Sequence, residues 1–313
     1  MILTITLNVA LDHLIYVPHL VPNSINRIER STIIPGGKGI NIAASLAVLE
    51  DEVIATGFIG GKDSIFIEQV LQKLGVTTNF IYIDDEIRTD TYIVEQKSNT
   101  NTLIIEAGVY IKSSYVKNFL ENYKRVLNNV HTVIIAGSVP PGIYPDFVAE
   151  LADIAQFHDK TVVINCREDI LNIVCPHKHF NIVKPDVRDT AHFMGLSTKN
   201  HQHRLKMGKA VLDQGADIFA LHIEEFHYFI YTRDQVLEVF SKKKDMTPVS
   251  LVGIEDSFLA GFSKCITRKM PLEEAAKYGL ATAIATGLSL NNYPDSYQEV
   301  KKHMKQLEIR TIK

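Results

Sequence analysis

Between Val249 and Gly261 the chain reads Val-Ser-Leu-Val-Gly-Ile-Glu-Asp-Ser-Phe-Leu-Ala-Gly, and Gly253, Glu255 and Asp256 are the residues able to do chemistry. A β-branched and aliphatic run ends at Gly253, and apolar residues then recur at Phe258, Leu259, Phe262 and Ile266, which is helical spacing. A strand is therefore expected to turn into a helix here. The turn presents free backbone N–H groups and the positive end of the helix dipole beside the Asp256 carboxylate. That combination suits an anion undergoing proton-coupled chemistry, and it is what phosphoryl transfer needs. The plainer alternative is that Asp256 or Ser257 only caps the helix, since both types are preferred there.

A second such cluster is Pro35-Gly36-Gly37-Lys38-Gly39-Ile40-Asn41, which opens a helix through Ile42, Ala43, Leu46, Ala47 and Leu49. Dense glycine lets a backbone approach a ligand closely, Lys38 offers a charge, and Asn41 points from the first helical turn. It is not a Walker A loop, because glycine rather than Ser or Thr follows the lysine. Three more strand ends carry polar groups. Asp12 follows Asn8 just past a strand at 2–7, Gly137-Ser138-Val139-Pro140-Pro141-Gly142 follows a buried run at 132–136, and Lys184-Pro185-Asp186 follows 180–183.

The elements that must hold these loops alternate along the chain. Strands are expected at 2–7, 53–59, 80–83, 132–136, 161–166, 180–183, 218–222, 227–231 and 236–240. Between and after them come helices near 64–74, 115–127, 144–157, 187–194 and 203–212, then the Asp256 helix, a small-residue helix through 280–285 and a tail helix. Two extended excursions interrupt the pattern, 13–20 with 25–34 and 89–94 with 102–105, with Arg88 at the start of the second. Such alternation argues a mainly parallel sheet covered on both faces, with ligands at the carboxyl ends of strands. Every polar loop named above lies at such an end.

Composition narrows the classes. A chain of 313 residues allows one large domain or two ordinary ones. Its 33 basic and 36 acidic residues nearly cancel, so no global field recruits nucleic acid or membrane, and an anionic ligand must be held by a local cluster. Cys166, Cys175 and Cys265 form no Cys-x-x-Cys pair and leave an odd number, which argues for buried inert thiols in a reducing compartment. With no basic leader and no run of eighteen apolar residues, the expected location is cytoplasmic. Cys175-Pro176-His177-Lys178-His179 fits no usual zinc spacing and reads as a loop. The basic tail, Lys301, Lys302, Lys305, Arg310 and Lys313, reads as a solvated helix face.

Taken together, Ile2 to Asn8, Asn26-Arg27, Gly36-Gly37-Lys38-Gly39-Ile40-Asn41, Gly137 to Gly142, Lys184-Pro185 and Asp256-Ser257-Phe258-Leu259-Ala260-Gly261 resemble the PfkB, or ribokinase-like, carbohydrate kinases. Within that family the chain is similar to the phosphosugar branch of 1-phosphofructokinases and tagatose-6-phosphate kinases. The resemblance spans nearly the whole chain. It implies a single ribokinase-like α/β domain over 1–313, a mainly parallel sheet sandwiched by helices, with a discontinuous β lid from about 12–34 and 88–106 and a homodimer formed through that lid. It implies ATP-dependent phosphorylation, with Mg²⁺, of fructose 1-phosphate, fructose 6-phosphate or tagatose 6-phosphate. Carried over residue by residue, Asp12, Gly37 and Asn41 would hold sugar hydroxyls, and Arg27, Lys38, Arg88 and Ser138 the substrate phosphate. Lys184 and His222 would lie on the nucleotide side, Asp189 could organise Mg²⁺ through water, Gly253 would belong to the anion hole at 253–256, and Asp256 would be the general base.

The departures from that pattern are equally specific. Relatives usually have Gly-Ala-Gly-Asp where this chain has Gly253-Ile254-Glu255-Asp256, and a Ser-x-Gly is replaced near His222. Asn165-Cys166-Arg167 stands for an Asp-Thr-Ser or Asp-Cys-Ser stretch, and Lys184-Pro185-Asp186-Val187-Arg188-Asp189 for Lys-Pro-Asn-x-x-Glu. An inward Glu255 carboxylate would repel the transferring phosphoryl group, unless it turns toward solvent or a cation. On that reading Glu255→Gly should raise kcat. The same departures keep open a catalytically weakened homologue that binds phosphosugar or nucleotide as a sensor. A nicotinamide-dependent Rossmann enzyme is disfavoured because no Gly-x-Gly-x-x-Gly opens the first helix.

Overall fold

Strand Ile2–Thr6 is buried at every position, and its side chains divide between two cores, Ile2 in one and Leu3 and Ile5 in the other. Thr132–Ala136 divides in the same way, with Ile134 and Ala136 on the first side and Val133 and Ile135 on the second. Strands apolar on both faces belong inside a sheet covered by helices on both sides. The computed structural model describes residues 1–95, 100–175, 179–186, 192–224, 226–243 and 246–312. Among them it shows an 11-stranded sheet of that kind.

From Ala216–Glu224 the sheet runs in parallel through Phe180–Val183, Thr161–Asn165, Thr132–Ala136, Ile2–Thr6 and Val53–Gly60 to a short edge at Thr77–Thr78. His227–Tyr231, Val236–Ser241 and Leu307–Thr311 extend the other edge with antiparallel pairing. Helices Lys38–Val48, Asp63–Lys73, Ile254–Thr267, Leu272–Gly287 and Tyr297–Met304 cover one face, while Ser113–Val126, Asp146–Phe157, Glu168–Val174 and His201–Asp213 cover the other. The expected fold class is the observed one.

A second, four-stranded sheet is ordered Arg30–Gly36, Ala10–Val17, Arg88–Glu95, Thr100–Ile104. Its middle pair is parallel, with Ala10 opposite Arg88 and Asp12 opposite Asp90, and its outer pairs are antiparallel. Leu14, Tyr16, Ile34, Tyr92 and Val94 form its own apolar cluster, which meets Val252 just ahead of the Asp256 helix. The contact brings the small sheet over the carboxyl ends of the large one.

Three local expectations are corrected. Among the described residues no strand leads into the Asp256 helix: Val249 to Gly253 is an irregular run, and its Val252 packs against the small sheet instead of pairing in the large one. Where a helix was expected near 187–194, His192–Phe193 pairs as a strand with Leu196–Ser197, across Met194 and Gly195 at φ of 54° and 69°; residues 187–191 lie outside the described residues. Beyond helix Tyr297–Met304 the tail becomes strand Leu307–Thr311, so Arg310 sits on a sheet edge, its guanidinium 4.6 Å from the Phe240 ring centroid. Five residues are too few for helical periodicity to be told from strand alternation. The three cysteines are buried and free, and burial pushes the Cys175 and Cys265 thiols up to about 12. Among the described residues, no helix is long and apolar enough to cross a membrane.

Candidate active site

Gly253 caps the helix Ile254–Thr267 in the left-handed region, at φ 79°, and a Cβ there would stand 2.1 Å from the Asn292 carbonyl oxygen. Both facts restrict the position to glycine. No side chain caps this helix. Ser257 instead joins three helices, its hydroxyl 2.8 Å from those of Ser45 and Thr286. Asp256 points into the site with 4% of its surface exposed. Its Oδ2 accepts a 2.8 Å hydrogen bond from Asn41 Nδ2, while Oδ1 faces Asn165 Nδ2 at 3.3 Å and the Lys38 ammonium at 3.5 Å. The capping alternative is therefore not what this side chain does.

The glycine-rich loop supplies the facing wall. Gly37, at φ 101°, precedes helix Lys38–Val48, and a Cβ there would meet Thr6 Cγ2 at 2.8 Å. Lys38 is buried, and its Nζ lies between two carboxylates, Asp256 at 3.5 Å and Asp186 Oδ2 at 3.3 Å. Asn41 gives its amide to Asp256 and accepts from Asn292 Nδ2 at 2.7 Å. The amide that sequence assigned to a sugar hydroxyl is thus engaged with the carboxylate. Asp12 is almost fully buried against Gly36, whose added Cβ would lie 2.2 Å from Asp12 Oδ1.

Glu255, in the same helical turn as Asp256, turns to cations. One oxygen pairs with the Lys184 ammonium, which is wholly buried, and the other lies 3.2 Å from His222 Nδ1. Burial alone would raise the Glu255 pKa; Lys184, then His222 and Lys38, outweigh it and hold the carboxyl well below its usual range. Two of the departures from the family pattern, Glu255 and His222, thus touch each other.

These groups surround a cavity of about 800 Å³, between the small sheet and the carboxyl ends of the large one. Of the residues named from sequence, Gly37, Lys38, Asn41, Arg88, Ser138, Gly253, Glu255 and Asp256 line it. Arg88 Nη1 donates to Asp90 Oδ1 at 3.1 Å and the Glu106 carbonyl at 3.0 Å, and Nη2 to the Asn8 carbonyl at 3.3 Å. Ser138 Oγ accepts from Asn8 Nδ2 at 3.0 Å.

Four other expected residues stand off the wall. Asp12 lies behind Gly36, and Lys184 and His222 lie behind Glu255. An unpaired ammonium would not be tolerated at the depth of Lys184. Arg27 is exposed beyond the far end of Arg30–Gly36, a strand about 20 Å long at the usual rise, so it is separated from Lys38 and Arg88. Asp189 falls outside the described residues.

The structure adds Asp90, Asn165, Asp186 and Asn292. Asp90 shares the buried alternation of Arg88, Tyr92 and Val94 on one strand, a period visible in the sequence. Asn165 and Asp186 stand at or just past strand ends, where polar groups gather. Asn292 follows a helix in a polar loop and carries no sequence signal of its own.

With this fold and this constellation, the chain belongs to the family of pfkB family carbohydrate kinases, whose model matches residues 5–291. Among curated relatives it is 29% identical over 290 residues to the 1-phosphofructokinase of Bacillus subtilis (strain 168), covering 92% of this chain and 93% of that protein. A crystal structure of a possible 1-phosphofructokinase from Thermotoga maritima is similar at TM-score 0.91 and 30% identity, over 100% of this chain and 99% of that one. That of a putative phosphofructokinase from Staphylococcus aureus is similar at TM-score 0.78 and 25% identity, over the same shares.

Proposed function

We propose that this chain phosphorylates a fructose phosphate with ATP to give a bisphosphate, and that fructose 1-phosphate is the acceptor. The observation that carries this reading is a buried carboxylate, Asp256, in the first turn of a glycine-capped helix, beside a buried lysine in a cavity of about 800 Å³. The choice of acceptor rests on likeness to the two 1-phosphofructokinases.

In this reading Asp256 takes the proton of the acceptor hydroxyl as its oxygen forms a bond to the γ-phosphorus. The bond from that phosphorus to the bridging oxygen breaks, and ADP leaves. Backbone N–H groups at the helix start and the Lys38 ammonium stabilise the charge that develops on the transferring group. Lys38, Arg88 and Ser138 bind the acceptor's phosphate, and Gly37 lets the sugar approach the backbone. Asp12 buttresses that loop from behind. Lys184 and His222 act through Glu255, and Arg27 takes no part within its own chain.

Mg²⁺ commonly binds one or two carboxylates together with nucleotide phosphates. Asp186 on the cavity wall fits that requirement; among the described residues no group of three or more His, Cys, Asp or Glu forms a metal cage. When bound, the ion would neutralise phosphate charge. We further infer a single ribokinase-like domain whose small sheet is a lid, and a homodimer through that lid, because Ile25, Ile28, Ile33, Ile104 and Ile105 are exposed there. Free, buried cysteines support a cytoplasmic location.

The test is ADP release from MgATP with fructose 1-phosphate, fructose 6-phosphate, tagatose 6-phosphate and unphosphorylated sugars in parallel. Fructose 1-phosphate should give the highest kcat/KM. Glu255, standing where relatives usually have glycine, motivates the sensor alternative. That alternative wins if phosphosugars raise the melting temperature but none supports turnover.

A further inference from the structure

Asn292 is 2% exposed, in the loop after helix Leu272–Gly287. Its Nδ2 donates two hydrogen bonds of 2.7 Å, one to the Pro35 carbonyl and one to Asn41 Oδ1. A backbone carbonyl can only accept, so the NH₂ of Asn292 must face Pro35. The second hydrogen of that NH₂ then requires an oxygen from Asn41, which leaves the Asn41 NH₂ to face Asp256 Oδ2 at 2.8 Å. An ionised carboxylate also only accepts, so both ends of the chain of bonds demand the same direction. Without Asn292, Asn41 Oδ1 would lose its donor and the amide would be held at one end only, by the carboxylate it is meant to fix.

The loop that carries Asn292 is itself braced. Ser289 Oγ donates to Asp295 Oδ1 at 2.6 Å and accepts from the Asn291 backbone N–H at 2.9 Å, and Asn291 Nδ2 reaches Asp295 Oδ1 at 3.2 Å. The backbone of Asn292 abuts Gly253, where any side chain would collide with its carbonyl oxygen. One residue therefore ties together the glycine-rich loop, the helix cap and the Asp256 carboxylate.

We propose that Asn292 is a positioning residue for phosphoryl transfer: through Asn41 it holds Asp256 by Oδ2. Oδ1, whose contacts are longer at 3.3 and 3.5 Å, is thereby presented to the acceptor hydroxyl. This rests on the proposed role of Asp256 as base. Misplacing a catalytic group by about 1 Å can cost roughly 10² in rate, so the effect should appear in kcat.

The experiment compares wild type, Asn292→Ala, Asn292→Asp, Asn41→Ala and the double alanine variant, with kcat, both KM values and thermal melting measured on each. Asn292→Ala should lower kcat roughly ten- to a hundredfold while both KM values stay within about threefold. Asn292→Asp offers only acceptors and turns the Asn41 amide round, so it should fall further. If that variant does not fold, the alanine pair decides alone. Because Asn292 acts through Asn41, the double variant should be no slower than Asn41→Ala. Near wild-type kcat in Asn292→Ala, losses that multiply in the double variant, or a change confined to KM or melting temperature would each overturn the proposal. Wild-type turnover is read first; its absence with every sugar sinks the proposed function and the positioning role together, whereas an active wild type isolates the latter.

Discussion

Lys184 and Glu255 form an ion pair at the cavity wall, with the lysine wholly enclosed behind the glutamate, which stands in the first turn of the Asp256 helix. Sequence reasoning favoured repulsion between Glu255 and the transferring group. The structure turns that carboxylate to Lys184 and His222 instead. Glu255→Gly should then not raise kcat, and it should destabilise the fold by about 3–5 kcal/mol, the cost of leaving a buried charge without its partner. Glu255→Gln, which keeps one acceptor, should lose less. Denaturant unfolding with parallel kcat measurements checks both; a faster Glu255→Gly enzyme of unchanged stability would restore the glutamate as an impairment.

The same pair gives a pH dependence with a definite sign. Glu255 has its folded pKa held well below 4.5, so its stabilisation is present above about pH 4.5 and is lost as pH falls through the folded value. Above that window the unfolded and folded glutamates are both ionised and the contribution is constant. The gap in melting temperature between wild type and Glu255→Gln should therefore be widest near pH 7 and shrink below pH 4.5. A gap that widens on acidification would contradict the sign.

Asp256→Asn hardly alters volume and deletes the proposed base. Turnover should fall by roughly 10² to 10⁴ while phosphosugar binding persists. Retained turnover, measured beside binding calorimetry, would remove Asp256 from that role.

Arg88 faces the cavity while tied to Asp90 and two carbonyls. Arg88→Ala should weaken phosphosugar binding by about tenfold or more, with ATP affinity within about threefold, as expected for loss of a charged hydrogen bond. It should also lower the melting temperature, because Asp90 is left buried beside Asp12. Equal losses for both ligands would mark Arg88 as a folding residue only.

Ile33 and Ile104 lie on the two outer strands of the small sheet and are each at least half exposed. If the lid joins two copies, Ile33→Glu combined with Ile104→Glu should halve the mass seen by sedimentation without unfolding the chain. An unchanged mass would place the contact elsewhere or nowhere.

Much of this was legible before any coordinates. Strands at 132–136 and 180–183 could be read because apolar runs bounded by turn residues have few alternatives. The glycine clusters at 36–39 and 253 announced close backbone approach. What escaped was set by tertiary contact. Neither the embrace of Glu255 by Lys184 and His222 nor the link from Asn292 to Asn41 follows from spacing, because the partners lie tens to hundreds of residues apart. Arg27 stands apart from Lys38 and Arg88 for a related reason: a cation's place in sequence does not say which end of a strand it will occupy.

The small sheet also bears on how the chain folds. Its central parallel pair sets Ala10 against Arg88, and between them in sequence come helix Lys38–Val48, strand Val53–Gly60 and helix Asp63–Lys73, all packed into the large core. Closing so long a loop is entropically affordable only once the intervening chain is already ordered. The small sheet should therefore be the last part to form and the first to open, so its amides should exchange with solvent deuterium well before those of Thr132–Ala136, and a ligand that bridges Asp90 and Asp256 should slow that exchange.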